Sequence, residues 1–465
     1  MPRPSDPVLT AAQMRDAEGA LIAAGTGVDE LMRRAGYGAA DYVWRLAGGR
    51  AVTVLCGPGN NGGDGYVIAE AIRERGGEVA VIAAADPATV AAKNARAAYR
   101  GQVVESGGQR SGVLVDCLFG TGLTRPLGAE HLALLRDLAA THASRVAVDL
   151  PSGIEADLGL VLNQGLPDYH LTIALGAWKL AHFLMPAGAT MGALRLVRIG
   201  VEPAGGSARV VSRPRFAAPS AMAHKYTRGL LGIVSGAMPG AALLAARAAH
   251  GAGTGYVKLL SPDTASAPAE LVVDTAPLAD VLSDARFSAL LVGPGLGRRG
   301  GARERLVLAL AEPIPAVLDA DALVLLAPRH LTERAAPLIA TPHEGELLAL
   351  ERAFDLDGAG SKVERAVALA AASRMVVVAK GADTVIAAPD GRIACAPRAS
   401  AWLSTAGTGD VLAGTIASRL ACGSEPFDAA CEGVWLHGEA ARRCPVPFTA
   451  AQLAEAIARA YAVCL

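Results

Sequence analysis

Short apolar runs recur along the chain. Each is closed by glycine, asparagine, aspartate or proline, and a longer stretch with apolar residues at helical spacing follows. The first run is Ala51-Val52-Thr53-Val54-Leu55-Cys56; Gly57-Pro58-Gly59-Asn60-Asn61-Gly62-Gly63-Asp64-Gly65 comes next, and then a helical stretch over 66–75. Further strands are predicted at 79–83, 113–118, 146–150 and 171–175, while residues 10–40 read as two helices interrupted by Gly25-Thr26-Gly27. Strands that alternate with helices bury both faces and wind into a mostly parallel sheet with right-handed crossovers. From 201 to 219 the periodicity gives way to Pro, Gly, Ala, Ser and Arg, including Ala204-Gly205-Gly206-Ser207, which reads as a linker. The pattern then resumes with a strand at 230–235 and an alanine-rich helix to 249.

Length and charge narrow this picture. A chain of 465 residues exceeds one core, so two α/β domains are expected, at 1–200 and 219–465, joined by a linker at 201–218. Lys plus Arg number 43 against 44 for Asp plus Glu, which argues against nucleic acid or an acidic membrane as partner and favours a small-molecule substrate. The seven cysteines, Cys56, Cys117, Cys395, Cys422, Cys431, Cys444 and Cys464, form no CxxC pair, so neither a disulfide framework nor a zinc site is expected and the compartment reads as reducing. The opening Met1-Pro2-Arg3-Pro4-Ser5-Asp6 leads into no apolar core of the secretory kind, so a cytoplasmic protein is expected. The charge-free run 229–246 contains Ser235, Pro239 and several glycines and fits a buried strand, loop and helix better than a membrane span. A homo-oligomer is expected.

Ligands of parallel sheets gather beyond the carboxyl ends of the strands, and polar clusters fall there. In the first half they are the stretch Asn60 to Asp64, Asp116-Cys117-Leu118-Phe119-Gly120-Thr121-Gly122-Leu123-Thr124-Arg125-Pro126, and Asp149-Leu150-Pro151-Ser152-Gly153. Any one of them is ordinary turn chemistry; three after three buried strands point to a site. The oxygens of Asn61, Asp116 and Ser152 suit a hard monovalent cation, and glycine-rich backbone suits phosphate.

In the second half the clusters are Gly293-Pro294-Gly295-Leu296-Gly297, Asp319-Ala320-Asp321-Ala322-Leu323, Thr341-Pro342-His343-Glu344-Gly345-Glu346 and Lys380-Gly381-Ala382-Asp383-Thr384. The last is Thr405-Ala406-Gly407-Thr408-Gly409-Asp410-Val411-Leu412-Ala413-Gly414, which reads as an anion cradle opening a buried helix. Asp410 falls in the first helical turn, where a carboxylate stays ionised and can take a proton from a substrate hydroxyl.

With GPGNNGGDG, DCLFGTGLTRP and VDLPSG in that order, residues 10–200 resemble the NAD(P)H-hydrate epimerase family. The resemblance implies a Rossmann-like three-layer sandwich that interconverts the R and S epimers of NADHX and NADPHX, nicotinamides hydrated at C6. It further implies that Asn60, Asn61, Gly62, Gly63, Asp64, Gly120, Thr121, Gly122, Leu123, Thr124, Arg125 and Pro126 bind the dinucleotide. Asn61, Asp116 and Ser152 would hold potassium, and Asp149 would be the catalytic carboxylate beside the reacting ring. The chain departs from that family at Gly165-Leu166-Pro167-Asp168-Tyr169 and at Ala177-Trp178-Lys179, which carries an unusual tryptophan.

The order GPGLG, DADAL, TPHEGE, KGADT and AGTGD, preceded by HKYTRG, resembles the ribokinase-like superfamily and, more closely, the NAD(P)H-hydrate dehydratase family from about 217 to the end. What this implies is a ribokinase-like α/β domain in which Lys380, Gly381, Ala382, Asp383, Thr384 and Gly409 bind the adenine nucleotide. Ala252, Gly295, Gly297, His343 and the catalytic Asp410 would contact the hydrated dinucleotide, with ADP or ATP as phosphoryl donor and magnesium bridging its oxygens. Arg398-Ala399-Ser400-Ala401-Trp402-Leu403 replaces a glycine-bearing approach to AGTGD in that family. The alternative is a small-molecule kinase of the thiazole or hydroxymethylpyrimidine type with a non-catalytic dinucleotide-binding N-terminal module.

Overall fold

Residues 6–104, 112–202, 205–262 and 267–465 are described by the computed structural model. The chain divides into two units, Met1–Arg209 and Val210–Leu465.

In the N-terminal unit the apolar runs become strands that are buried on both faces. In Val52–Cys56, Val54 and Cys56 join one buried cluster while Leu55 joins another, and in Val113–Cys117 the same holds for Val115 and Leu114. A strand buried on both sides lies between two layers of helices. The helices Val28–Ala47 and Asn60–Glu74 cover one face, and Ala129–Thr141 covers the other. The sheet is parallel throughout, in the order Gln102–Val104, Val79–Ala83, Val52–Cys56, Val113–Cys117, Ser144–Val148, Leu171–Leu175, Ala193–Val197.

One boundary differs from expectation in a way that matters for the site. The helix predicted from Tyr66 begins at Asn60, so most of the glycine motif is its first two turns rather than a loop. These glycines are there for close packing. A Cβ on Gly62 would collide with the Gly57 carbonyl, one on Gly63 would lie 2.6 Å from Met32 Cε, and one on Gly65 would lie 2.7 Å from Cys56 Sγ. The helix can therefore settle with its N-terminus over the strand ends.

In the C-terminal unit the sheet runs Val272–Asp274, Tyr256–Leu260, Leu230–Val234, Phe287–Val292, Ala316–Leu318, Leu338–Ala340, Val376–Ala379, Val385–Ala387, Ile393–Cys395. It is parallel up to Val376–Ala379, and its last two strands are antiparallel. The charge-free run becomes the strand Leu230–Val234 and the start of the helix Pro239–Gly251. No helix among the described residues is long and apolar enough to cross a membrane. The stretch 201–218 contains a strand, Ala208–Val210, whose Ala208 and Arg209 pair antiparallel with Val8 and Pro7.

The helix Thr408–Ala421 lies against Pro239–Gly251 so closely that a Cβ on Gly414 would overlap the Ala245 carbonyl. Replacing Gly414 by alanine is expected to destabilise this unit by about 1–3 kcal/mol through overpacking. Gly240→Ala, which meets nothing within 4 Å, is expected to leave stability unchanged or slightly raised. Thermal denaturation of the two variants measures the difference.

Candidate functional site

In the N-terminal unit the chain leaves the strand Ser144–Val148 at Asp149, which has φ 65°, a left-handed conformation unusual outside glycine. Its amide donates to Ile173 O at 2.7 Å, and the turn aims its carboxylate inward. There, Oδ2 accepts hydrogen bonds from the Thr121 hydroxyl and from Thr121 N at 3.0 Å, and Oδ1 pairs with Lys179 Nζ. Lys179 is only 1% exposed and donates a second bond to Leu175 O at 2.7 Å. Burial pushes the Asp149 carboxyl up, but the charge and hydrogen bond of Lys179, with the Thr121 bond, outweigh it and hold the group below the usual aspartate value.

His182 completes this arrangement. Its Nδ1 accepts from Lys179 N at 2.9 Å, so its proton sits on Nε2, which donates to Asp149 O at 2.9 Å. Burial holds the ring down to about 4, and it stays neutral. Asp64 behaves oppositely to Asp149: burial first, then the Asp149 charge, drive its carboxyl well above normal. The unit thus combines a carboxyl held below its usual range with one raised well above it, and Glu18 is also raised by burial.

Asn61 is expected beside this group, and the structure brings it there. A Cβ on Gly120 would lie 2.9 Å from Asp149 Oδ2 and 3.2 Å from Asn61 Cγ. Both polar atoms of the Asn61 amide are buried without a hydrogen-bond partner. Asp116 and Ser152 are tied to each other, Ser152 Oγ donating to Asp116 Oδ1 at 2.7 Å and Ser152 N to Oδ2 at 3.0 Å, where Tyr169 OH also donates at 2.5 Å. Burial raises the Asp116 carboxyl against the pull of these bonds. Ser152 Oγ also accepts from Phe119 N at 2.9 Å. Asn60 is exposed and accepts from Thr89 Oγ1 at 2.7 Å; Gly122, Thr124, Arg125 and Pro126 are exposed at the rim, and Leu123 is buried.

In the C-terminal unit Asp319 and Asp321 leave the strand Ala316–Leu318 around Ala320, whose φ of 48° turns the two carboxylates to different partners. Asp319 Oδ1 accepts from Thr341 Oγ1 at 2.7 Å and from Lys380 Nζ at 2.6 Å. Asp321 accepts from Gly297 N at 2.9 Å and from Arg298 Nε at 2.7 Å. Gly295 O accepts from Met238 N at 2.9 Å, which joins the glycine loop to the start of the helix Pro239–Gly251.

His343 is mostly exposed and caps the helix Glu344–Ala353, its Nδ1 accepting from Gly345 N at 3.0 Å and Glu346 N at 3.2 Å. In the stretch after Lys380, Gly381 and Ala382 are exposed and Thr384 Oγ1 donates to Gly381 O at 3.0 Å. Asp383 pairs with Lys362 Nζ at 2.5 Å, and the same ammonium bonds Lys380 O at 3.1 Å.

Asp410 lies in the first turn of Thr408–Ala421, after Gly407 at φ 90°. His437 braces that turn with Nε2 2.9 Å from Thr408 O. Burial, then the neighbouring Asp319, push the Asp410 carboxyl up to about 6; Lys380 opposes and Asp321 adds to the rise. A Cβ on Gly409 would lie 3.7 Å from Lys380 Nζ. Gly295, Gly297, His343, Lys380, Gly409 and Asp410 therefore all stand at the carboxyl edge of the sheet.

Ala252 does not. It follows the C-terminus of the helix Pro239–Gly251, which runs back toward the amino edge, and it is fully buried with its carbonyl bonded by Arg419 Nη1 at 3.2 Å. The alanine that reaches the glycine loop is Ala241, whose Cβ is 3.4 Å from a Cβ placed on Gly295.

Lys179, His182 and Asp319 were not assigned roles on sequence grounds. The signal for Lys179 is the single charge in the apolar stretch 171–184, because a lone charge among buried residues needs a partner.

These units define a two-domain α/β protein, with a parallel sheet flanked by helices in its N-terminal half and a mostly parallel one in its C-terminal half. Residues 28–181 match the family model described as YjeF-related protein N-terminus, and residues 231–462 match the one described as NAD(P)H-hydrate dehydratase. The bifunctional NAD(P)H-hydrate repair enzyme Nnr of Gloeobacter violaceus is 35% identical, with 92% of each chain covered. The enzyme of the same name from Mycobacterium leprae is 33% identical, again with 92% of each covered. A solved structure of the ADP/ATP-dependent NAD(P)H-hydrate dehydratase from Bacillus subtilis, co-crystallized with ATP/Mg2+, is 28% identical and covers 54% of this chain and 95% of its own, with a TM-score of 0.47. The chain belongs to the family of bifunctional NAD(P)H-hydrate repair enzymes.

The Lys179–Asp149 pair makes a stability prediction. Lys179→Met strands a buried carboxylate and is expected to cost about 3–5 kcal/mol, whereas Lys179→Met combined with Asp149→Asn is expected to recover most of that loss. Chemical denaturation of both variants checks it, and equal losses would show that the pair is not what holds the site together.

Proposed function

We propose that the N-terminal unit epimerises R and S NADHX and NADPHX and that the C-terminal unit dehydrates the S epimer to NADH or NADPH at the expense of ADP or ATP. We take the epimerase part as 1–200, the linker as 201–218 and the dehydratase part as 219–465. The observation that carries the reading is Asp410: a carboxyl raised to about 6, half withdrawn from water, in the first turn of a helix whose leading amides follow a glycine turn.

At neutral pH such a group is ionised yet basic enough to take the proton of the C6 hydroxyl. The hydroxyl oxygen then bonds the terminal phosphorus of the nucleotide as the bond to the bridging oxygen breaks, and the amides at Gly407 to Gly409 stabilise the charge in transit. Phosphate leaves C6 more readily than hydroxide, a proton leaves C5, and the dihydronicotinamide is restored. Gly295, Gly297 and His343 would line the dinucleotide, and the residues Lys380 to Thr384 with Gly409 would face the nucleotide, where a magnesium ion would supply positive charge against the phosphates.

In the N-terminal unit, Asp149 would exchange a proton with the C6 hydroxyl as it leaves one face of the ring and returns to the other. The stretch Asn60 to Asp64 and the residues Gly120 to Pro126 would hold the dinucleotide. The unpartnered amide of Asn61, with the oxygens of Asp116 and Ser152, fits a potassium ion, which would supply positive charge next to the bound substrate. A cytoplasmic homo-oligomer completes the proposal.

The test mixes the full-length protein with hydrated NADH as an R/S mixture plus ADP or ATP and follows recovery of the near-ultraviolet absorbance of NADH. Recovery of both epimers with one of the two donors is expected; no recovery with either would overturn the reading. Asp410→Asn should lower recovery about a hundredfold or more while epimerisation continues, and Asp149→Ala should spare the S epimer but strand the R epimer beyond its spontaneous conversion.

A further inference from the structure

Lys380 was expected to reach a nucleotide phosphate, yet the structure occupies it elsewhere. Its ammonium lies 2.6 Å from Asp319 Oδ1 and 4.0 Å from Glu346 Oε2. Asp319 is 2% exposed, and Thr341 Oγ1 fixes its orientation at 2.7 Å. The same ammonium approaches the backbone of Gly409, the residue before Asp410. A carboxylate removed from water and bonded on one side to a hydroxyl and on the other to a lysine is a fixed charge in a fixed place.

We propose that Asp319 and Lys380 act as a positioning pair for Asp410, with Asp319 holding the lysine beneath the phosphate loop so that the two set the charge state of the base, rather than the lysine gripping phosphate. The inference rests on the reading of the C-terminal unit as a dehydratase. Only Asp410 takes the hydroxyl proton.

The charged surroundings of Asp410 are asymmetric. Asp319 and Asp321 face it from the exit of one strand and Lys380 from the exit of another, with Glu346 and His343 beyond the lysine. The helix Pro426–Arg443 contributes His437, held neutral by burial at about 4. The helices Pro239–Gly251 and Ala450–Ala462 bring the uncharged side chains of Leu244 and Ala450 against Gly407, and their charged pair Arg247 and Glu455 is engaged with itself at 3.2 Å. Like charge from Asp319 and opposite charge from Lys380 are thus the adjustable quantities, and they act with opposite sign. Removing Asp319 should make Asp410 a weaker base, and removing Lys380 a stronger one that is protonated sooner on acidification.

The experiment is the pH profile of kcat/KM for dehydration of the S epimer by the full-length protein with ADP or ATP, whichever supports wild-type turnover. Wild type should lose activity as pH falls through about 6. Asp319→Asn should move that acid limb to lower pH by roughly one unit, and Lys380→Met should move it to higher pH, while KM for the nucleotide changes by less than about threefold. Lys380→Arg, which keeps the charge, should restore the wild-type limb and decides the matter with Lys380→Met if Asp319→Asn does not fold. Limbs that stay in place, or a Lys380→Met variant whose nucleotide KM rises about tenfold or more at an unmoved limb, would overturn the pair's role and return the lysine to the phosphate. A wild-type protein that restores no dihydronicotinamide would instead overturn the dehydratase reading beneath it.

Discussion

A carboxylate taken out of water must be given a partner, and both units are built around that requirement at the exit of a strand. In the N-terminal unit Asp149 is met by Lys179, and in the C-terminal unit Asp319 is met by Lys380. In each case a non-glycine residue with positive φ, Asp149 itself or Ala320, turns the chain so that the acid points inward. Such conformations cost about 1–3 kcal/mol and persist only where the surroundings over-determine them. Here the lysine, the hydroxyls of Thr121 and Thr341, and the neutral His182 do so.

Close helix packing completes both sites. The N-terminus of Asn60–Glu74 reaches the strand ends because Gly62, Gly63 and Gly65 let it sink onto the sheet, and Gly414 does the same for Thr408–Ala421 against its neighbouring helix. The glycines that look like phosphate-loop chemistry therefore serve first to bring a helix terminus, with its free amides, to where the acids stand. The two units reach a similar solution, a helix start facing a constrained acid, with different partners: Asp149 is held ionised below its usual range, whereas Asp410 is raised toward neutrality.

The strands were legible because five or six apolar residues bounded by glycine and rich in valine have few other uses in a charge-balanced chain; boundaries fell within two residues of expectation at most of them. The start of the helix at Asn60 was not, since glycine reads as a breaker unless the neighbour it packs against is known. The strand Ala208–Val210 is too short to show alternation. Ala252 was misplaced because an alanine-rich helix offers no chemical landmark, and only its direction across the sheet tells which end meets the loops. Lys179 and Asp319 went unassigned for a related reason. Their partners lie 30 and 61 residues away, so their importance is a property of the fold and not of a motif.

Cys56 and Cys117 face each other across adjacent strands and lie beneath Gly65, fully buried, with burial driving both thiols far above their ordinary range. A native protein of this kind offers alkylating reagents neither access nor thiolate at these two positions. Their slow modification, when it occurs, is a clock for the moments at which the sheet and the helix over it part.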